Sequence, residues 1–240
     1  MAFDGLRLIQ RAWRYRLRHD PAEIHFVLQT LRRGDTAIDV GAHKGAYTYW
    51  MARAVGPCGR VYAFEPQPQL ALRLKNQMGN RRWPHVTIEA AAVSAQSGEL
   101  DLYVPDEGPS PGATLESARR GDAKRTHRVK VVTLDERIPA GAPVRLIKVD
   151  VEGHELSVFR GAHRILTTAR PALLFECEAR HHRSDAMEPV FDHLKSLGYE
   201  GSFFWRGKRV PLAQFHSDTH QVEGREPYAN NFAFIHPLAG

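Results

Sequence analysis

Apolar positions follow two different periods along the chain, and the change between them predicts an α/β protein. Residues 1–34 have a helical period, because Leu6, Ile9, Trp13 and Leu17 recur at intervals of three or four residues. After residue 35, short apolar runs alternate with helical segments. This alternation indicates βαβ units, a parallel sheet and right-handed crossovers that place helices on both faces.

The same pattern assigns most of the chain to individual elements. A second N-terminal helix begins at Asp20–Pro21 and ends before Gly34. Residues 105–126 are rich in Pro, Gly, Ser and charge, and a loop of that length is usually functional or disordered. Strands are predicted at 36–40, 60–64, 86–93, 99–104, 128–132, 144–150, 171–175, 201–205 and 232–235, and helices at 46–55, 67–78, 156–166 and 187–197.

Composition excludes several classes of protein. With 240 residues, 42% hydrophobic and 25% charged, the chain can bury a core and is not wholly disordered, collagen-like or a coiled coil. Cys58 and Cys177 lie far apart, which predicts free thiols in a reducing compartment. No apolar run reaches the length of a membrane helix, and arginines interrupt the start of the chain. We therefore expect a cytoplasmic protein.

The net charge of +6 is unevenly distributed, because residues 1–33 carry seven arginines and only three acidic residues. Four of these arginines, Arg7, Arg11, Arg14 and Arg18, face away from the predicted apolar stripe of the first helix. This basic face suggests contact with an anionic surface such as a membrane. The interpretation we favour is a helix that docks by its apolar stripe and leaves its arginines in solvent. Formation of a homodimer stays open.

The turn after the first sheet strand has the composition of a ligand-binding loop. Gly41 and Gly45 are spaced Gly-x-x-x-Gly, which permits a tight turn and a close approach of the backbone to a ligand. The second strand ends in Glu65, where a carboxylate can accept two hydrogen bonds from a ribose diol. Together they predict a nucleoside ligand, whereas each alone could be a turn or a solvated acid.

Asp39 precedes the glycine loop and narrows the choice of nucleoside. A carboxylate there suits the amine or sulfonium of S-adenosylmethionine and repels the pyrophosphate of NAD. The three-glycine dinucleotide fingerprint is also missing, which disfavours an NAD-dependent oxidoreductase.

Acidic residues also follow the strand at 144–150. Asp150, Glu152 and His154 come together there, a set suited to general base catalysis or to metal binding. The alternative is an ordinary helix start, which explains Glu155 well but Asp150 poorly, because Asp150 continues an apolar strand.

On these motifs the chain resembles the FkbM-type S-adenosylmethionine-dependent methyltransferases. The resemblance covers about residues 35–180 and is most specific in the run Lys-Val-Asp-Val-Glu-Gly at 148–153. It implies a Rossmann-like, mostly parallel seven-stranded sheet with helices on both faces. We accordingly divide the chain into an N-terminal helical extension, 1–34, and a methyltransferase domain, 35–240. The resemblance implies direct in-line transfer of a methyl group to a hydroxyl of a sugar, glycolipid or other natural product, leaving S-adenosylhomocysteine (SAH).

The resemblance also implies roles for individual residues. The methionine portion of the cofactor would lie against Asp39, Gly41 and Gly45, its ribose against Glu65, and its adenine against Ala91 and Ala92.

Asp150 would touch both the cofactor and the reaction centre, beside Glu152, and 105–126 would form part of the acceptor pocket. The general base stays open among Asp150, Glu152, His154 and the pair at 181–182. A divalent metal between Asp150 and Glu176 is conceivable. Two carboxylates at separate strand ends do not define a metal site, and we predict no metal.

Two rival functions remain. The excess of basic over acidic residues suggests an RNA or DNA methyltransferase. Against it, the Asn/Asp-Pro-Pro-aromatic motif is missing, and the predicted carboxylates of the site would repel phosphates. We therefore expect a small-molecule or glycan partner and no nucleic acid. The second rival is a non-catalytic S-adenosylmethionine-binding module, which the presence of Asp39, Glu65 and Asp150 disfavours.

Overall fold

The computed structural model describes residues 2–78, 83–105, 108, 110, 112–116, 123–181 and 187–238. In this part of the chain, eight strands form one large sheet in the order β10-β9-β11-β8-β7-β1-β2-β3. Five of them are parallel: β1 (Thr36–Val40), β2 (Arg60–Phe64), β3 (Val86–Glu89), β7 (Val144–Val149) and β8 (Ala172–Glu176). The other three pair antiparallel: β9 (Glu200–Trp205), β10 (Lys208–Pro211) and β11 (Asn231–Ile235).

A second, three-stranded sheet lies beside the first. Its order is β4-β6-β5, formed by β4 (Ala92–Val93), β5 (Gly98–Val104) and β6 (Arg125–Val132). β6 therefore begins three residues before the predicted strand.

Helices cover both faces of the large sheet, as predicted. Consecutive strand residues such as Leu146 and Ile147 point to opposite faces and enter two separate apolar cores. The helices are α1 (Ala2–Arg14), α2 (Pro21–Thr30), α3 (Ala46–Val55), α4 (Pro68–Met78), α5 (Leu134–Arg137), α6 (Glu155–Arg160), α7 (His163–Thr168), α8 (Glu188–Ser196) and α9 (Ser217–His220). The predicted Rossmann-like α/β fold is thus confirmed, with one strand more than the seven expected.

The additional strand is β10, at the edge of the sheet. It forms a hairpin with β9 through Arg206 and Gly207, both with positive φ, as a tight two-residue hairpin turn requires. The apolar pattern did not reveal it because Lys208 and Arg209 are exposed at an edge that buries little.

Two predicted elements are divided in the structure. The strand predicted at 86–93 is split into β3 and β4, which belong to different sheets. The helix predicted at 156–166 is split into α6 and α7 around Gly161. A Cβ at Gly161 would lie 2.1 Å from the carbonyl oxygen of Ser94, so the break lets two backbone segments touch.

The N-terminal helix docks on the domain, but of the four residues in the predicted apolar stripe Ile9 packs partly against the core and the other three are exposed. Leu8 and Ala12 are the buried residues, while Leu6, Trp13 and Leu17 are 53%, 43% and 66% exposed. The small Ala12 lets α1 approach α3 closely, and the indole of Trp50 donates to its carbonyl oxygen at 2.9 Å. Close packing therefore selected a different face from the one with the largest apolar side chains.

The division of the chain into two parts at residue 34 stays a prediction. The N-terminal extension and the rest of the chain contribute to one apolar core. Leu8, Ile24 and Val27 belong to the same buried cluster as Trp50 and Met51. Both cysteines are free, as expected. No helix in the described residues has the length and apolarity that crossing a bilayer would require.

The docking face of α1 can be tested with two leucines on one helix. We expect Leu8→Ala to lower the free energy of unfolding by about 2–4 kcal/mol, because it leaves a cavity. Leu6→Ala should change it by less than about 0.5 kcal/mol, because Leu6 is exposed. Urea denaturation followed by circular dichroism measures both. Equal losses would show that α1 does not dock by the Leu8 face.

Candidate active site

A cavity of about 300 Å³ opens at the carboxyl ends of β1 and β7. The chain leaves β1 towards β2 on one side and returns to β7 on the other, so this is the switch point of the sheet, where α/β proteins bind ligands. All predicted site residues except Gly45 line the cavity. They are Asp39, Gly41, Glu65, Ala91, Ala92, Asp150, Glu152 and His154. Their individual roles stay predictions.

Gly45 does not line the cavity, but it fixes the conformation of the loop. Its N–H donates to the carbonyl of Ala42 at 2.8 Å, and its φ is +80°. A Cβ there would lie 2.5 Å from Leu74 in α4. Gly45 therefore closes the turn and starts α3 rather than facing the cavity.

The other end of the loop is held by Gly41, with φ +77°. A Cβ at this position would lie 1.9 Å from the carbonyl oxygen of Asp150. The backbones of the two strand ends therefore touch, which only glycine permits. His43, also in the loop, adopts a left-handed φ of +47° without being glycine. Such strain is typical of functional sites.

Glu65 is fixed by the backbone around it. One carboxylate oxygen accepts from the N–H of His43 at 2.8 Å, and the other accepts from the N–H of Gln67 at 2.9 Å. Burial raises the pKa of Glu65 to about 7, although both backbone N–H groups oppose the shift. The carboxylate is thus held in one orientation at the cavity wall, with lone pairs left for a ligand.

A second pair of hydrogen bonds closes the end of the cavity near Ala91 and Ala92. The side-chain amide of Gln67 donates to the carbonyl of Ser110 at 2.8 Å, and the N–H of Ser110 donates back to the Gln67 amide oxygen at 2.9 Å. With Ser110 and Leu115, part of the predicted 105–126 segment therefore lines the cavity. Residues 106, 107, 109, 111 and 117–122 lie outside the described residues.

Two buried charged groups, Asp39 and Lys148, lie next to the partly exposed Asp150 in the cavity. Asp39 accepts from the hydroxyl of Thr48 at 2.5 Å through one oxygen, while its other oxygen, Oδ1, has no partner among the described residues. The ammonium of Lys148 contacts Asp150 at 3.0 Å. Burial alone would lower the pKa of Lys148, but Asp150 and Asp39 outweigh it and raise the pKa. Burial raises the pKa of Asp39.

Asp150 also belongs to an acidic group with Glu152 and Glu176. One oxygen from each lies within 4.8 Å of the others, an arrangement that could hold a divalent cation. Burial, followed by the charge of Asp150, raises the pKa of Glu176 to about 10. Burial and the neighbouring carboxylates thus favour the protonated form of Glu176.

Both ring nitrogens of His154 are occupied. Nδ1 lies 2.6 Å from the Glu116 carboxylate, and Nε2 lies 2.9 Å from the Ser94 hydroxyl. Thr114 adds a hydrogen bond to the carbonyl of Glu152 at 2.8 Å. His154 thus ties the 112–116 segment to the rim of the cavity, and one of these contacts must open before a substrate hydroxyl can reach a ring nitrogen. His182 lies outside the described residues, as does the side chain of His181.

Sequence reasoning missed the contribution of the N-terminal extension. Arg11, Tyr15, His19 and Asp20 line the cavity, and Tyr47 donates to Asp20 at 2.9 Å. No periodicity could reveal this, because Arg11 lies on the face expected to be solvated. Lys148 was also missed, although a lysine inside a buried apolar strand is an anomalous signal.

The sheet order and the cavity at its switch point define a doubly wound α/β protein with a ligand site at the carboxyl edge of the strands. The sequence profile described as Methyltransferase FkbM domain matches residues 39–200, about two thirds of the chain. The chain therefore belongs to the FkbM methyltransferase family.

Three individual relatives share less than a third of their aligned residues with this chain. The hexuronic acid methyltransferase AglP of Haloferax volcanii is 29% identical over 157 residues, which are 64% of this chain and 61% of AglP. The structure of methyltransferase FkbM from Methylobacillus flagellatus KT superposes with a TM-score of 0.54 at 16% identity, over 97% of this chain and 55% of that one. SMU.1697c from Streptococcus mutans, solved with SAH, gives 0.52 at 13% identity, over 88% and 94%. The chain thus spans about three fifths of AglP and just over half of the Methylobacillus protein.

The contact between Gly41 and Asp150 can be tested with a matched glycine. We expect Gly41→Ala to destabilise the protein by about 3 kcal/mol or more, because the methyl group would overlap backbone. Gly141 has a similar φ of +76° but open space around it, so Gly141→Ala should cost only about 1–2 kcal/mol. Thermal and urea denaturation measure both. A Gly41→Ala protein as stable as Gly141→Ala would contradict the close approach.

Proposed function

We propose that the protein is an S-adenosylmethionine-dependent methyltransferase that methylates a hydroxyl group of a sugar, a glycolipid or another natural product. The observation that carries the proposal is the pair of carboxylates at the glycine loop. Glu65 is held by two N–H groups, and the described residues leave Asp39 Oδ1 buried without a partner in the same cavity. A ribose diol can donate to the first, and an ammonium group can donate to the second.

The remaining walls support the same orientation of the cofactor. The small residues Ala91 and Ala92 leave room for a flat base, and Leu102 and Leu115 offer apolar contact. The Gln67–Ser110 pair closes this end. The adenine would therefore lie there, with the ribose at Glu65.

When bound, the cofactor supplies an electrophilic methyl group on its sulfonium sulfur. The chain itself must hold the acceptor hydroxyl beside that methyl and take up the hydroxyl proton. We assign proton acceptance to Asp150 and Glu152, which lie at the end of β7 and line the cavity. His154 is less suited, because Glu116 and Ser94 occupy both of its nitrogens.

The relative from Haloferax volcanii supports a sugar acceptor, because it is named as a hexuronic acid methyltransferase. The alternative is an RNA or DNA methyltransferase, which the exposed Arg7, Arg14 and Arg18 favour. Carboxylates at the centre of the cavity oppose it, since they repel phosphates. A non-catalytic cofactor-binding module is the second alternative.

The exposed side of the N-terminal helix suggests a further contact. Leu6, Trp13 and Leu17 lie beside exposed arginines, a combination that suits an anionic surface. This contact, a homodimer and a cytoplasmic location remain proposals.

The proposed ribose contact predicts how SAH binding depends on pH. Only the ionised form of Glu65 accepts from both ribose hydroxyls, and its pKa is raised to about 7. Affinity for SAH should therefore fall about tenfold from pH 8 to pH 6. Glu65→Gln should bind at least about tenfold more weakly at pH 8 and lose the pH dependence.

Isothermal titration calorimetry measures these affinities, with the exposed Glu99→Gln as the control that should match the wild type. A folded wild-type protein that does not bind SAH would contradict the proposed function. Unchanged binding by Glu65→Gln would remove Glu65 from the site.

The proposed proton acceptors predict a separation of binding from turnover. Glu152→Gln should keep SAH affinity within about threefold and lower methyl transfer by about a hundredfold or more, since a general base contributes that much. Asp150→Asn should lower both, because Asp150 also faces the cofactor.

Transfer of a radioactive methyl group to hexuronic acid glycosides, neutral glycosides and bulk RNA at low salt measures turnover, with Glu99→Gln again as control. Labelling of RNA alone would support the nucleic-acid alternative. SAH binding without transfer to any acceptor would support the binding module.

A further inference from the structure

Two cations, Arg11 and Lys44, line the edge of the cavity, and a third, Arg73, is near enough to act on both charges. Arg11 of α1 donates to the carbonyl oxygen of Lys44 at 3.0 Å, and both residues line the cavity. Burial, and then the charge of Arg73, lowers the pKa of Arg11. Burial, and then Arg11 and Arg73, lowers the pKa of Lys44. In the described part of the chain, no carboxylate forms an ion pair with any of the three.

Such a group is electrostatically unfavourable in the free protein. Like charges repel, and partial burial weakens the screening that would make the repulsion negligible. A bound anion would offset this repulsion, because each cation would attract it. Arg11 uses one N–H on Lys44, and the other guanidinium donors remain for a planar carboxylate, which an arginine fork fits well.

The position of Asp39 identifies which carboxylate fits. Asp39 lines the same cavity, and its buried oxygen Oδ1 has no hydrogen-bond partner among the described residues, which leaves it able to accept from an ammonium group. An α-amino acid carries its ammonium and its carboxylate on one carbon atom. Asp39 precedes the 41–45 loop and Lys44 lies within it, and both line the cavity, so an amino acid bound along the loop would have a residue of opposite charge for each of its charges.

We propose that Arg11 and Lys44 form the subsite for the α-carboxylate of the cofactor's methionine portion. This inference rests on the proposed function, because it concerns the proposed cofactor. It makes the N-terminal extension part of the binding site: α1 supplies a charge that the loop alone does not. Arg73 does not line the cavity, but its charge adds to the positive electrostatic potential at Arg11 and Lys44.

The test compares SAH with its decarboxylated analogue, S-adenosyl-3-thiopropylamine, which keeps the adenosine and the amine. Calorimetry should show that Arg11→Ala weakens SAH binding about tenfold to a hundredfold. Binding of the analogue should stay within about twofold. Lys44→Ala should act in the same direction and more weakly, because lysine lacks the fork. The exposed Arg7, one turn away on the same helix, provides the control variant Arg7→Ala, which should change neither affinity.

The outcomes separate this inference from the proposed function. Wild-type protein that binds neither ligand would overturn both. Wild-type binding of SAH that Arg11→Ala leaves unchanged would overturn the subsite and leave the function standing. Equal weakening of both ligands would indicate a structural role of Arg11 and also overturn it.

An anionic acceptor is the other source of a carboxylate. Titration of SAH-loaded protein with glucuronate and with glucose distinguishes it. If Arg11→Ala spares SAH and weakens glucuronate alone, the cations bind the acceptor and the cofactor assignment is overturned.

Discussion

The site depends on a backbone contact between two neighbouring strands at the centre of the sheet. The N–H of Asp150 donates to the carbonyl of Val40 at 3.0 Å, and the next residue, Gly41, passes so close to the Asp150 carbonyl that no side chain fits. The glycine loop therefore turns away from β7 at this point and runs to Glu65, whose carboxylate accepts from the loop. One steric constraint thus sets the relative position of three acidic residues on separate strands.

Charge in the interior is tolerated because it is paired in part. Lys148 forms an ion pair with Asp150 and acts on Asp39, whereas burial and the charge of Asp150 raise the pKa of Glu176. One buried oxygen of Asp39 stays unsatisfied in the part of the chain that the structure describes, at a cost that a ligand ammonium would remove. The cations at the rim, Arg11 and Lys44, would in turn be stabilised by a bound anion. Buried acid and partly buried base on the two sides of one loop form a pattern that a zwitterion would complete.

Most of the sheet and the core of the site could be predicted from local patterns. Short apolar runs between helical segments located β1, β2, β7 and β8, because fully buried parallel strands carry continuous apolar residues. Asp39 and Glu65 were identified from their combination with the glycine loop, and Asp150 because it continues an apolar strand where a helix start does not explain it. The carboxyl ends of parallel strands meet at one edge, so residues on three strands were expected in one place, and the cavity contains them.

The sequence by itself therefore determined the fold class, the glycine loop and the acidic strand ends, since these follow from neighbours in the chain. Only the tertiary structure decided which face of α1 is buried, that Arg11 and Asp20 line the cavity, and that His154 has both nitrogens bonded. Each of these depends on contacts between segments far apart in the chain, such as Ala12 with Trp50 or Glu116 with His154. Local periodicity carries no information about such pairs, because close packing, rather than side-chain size or charge alone, selects them.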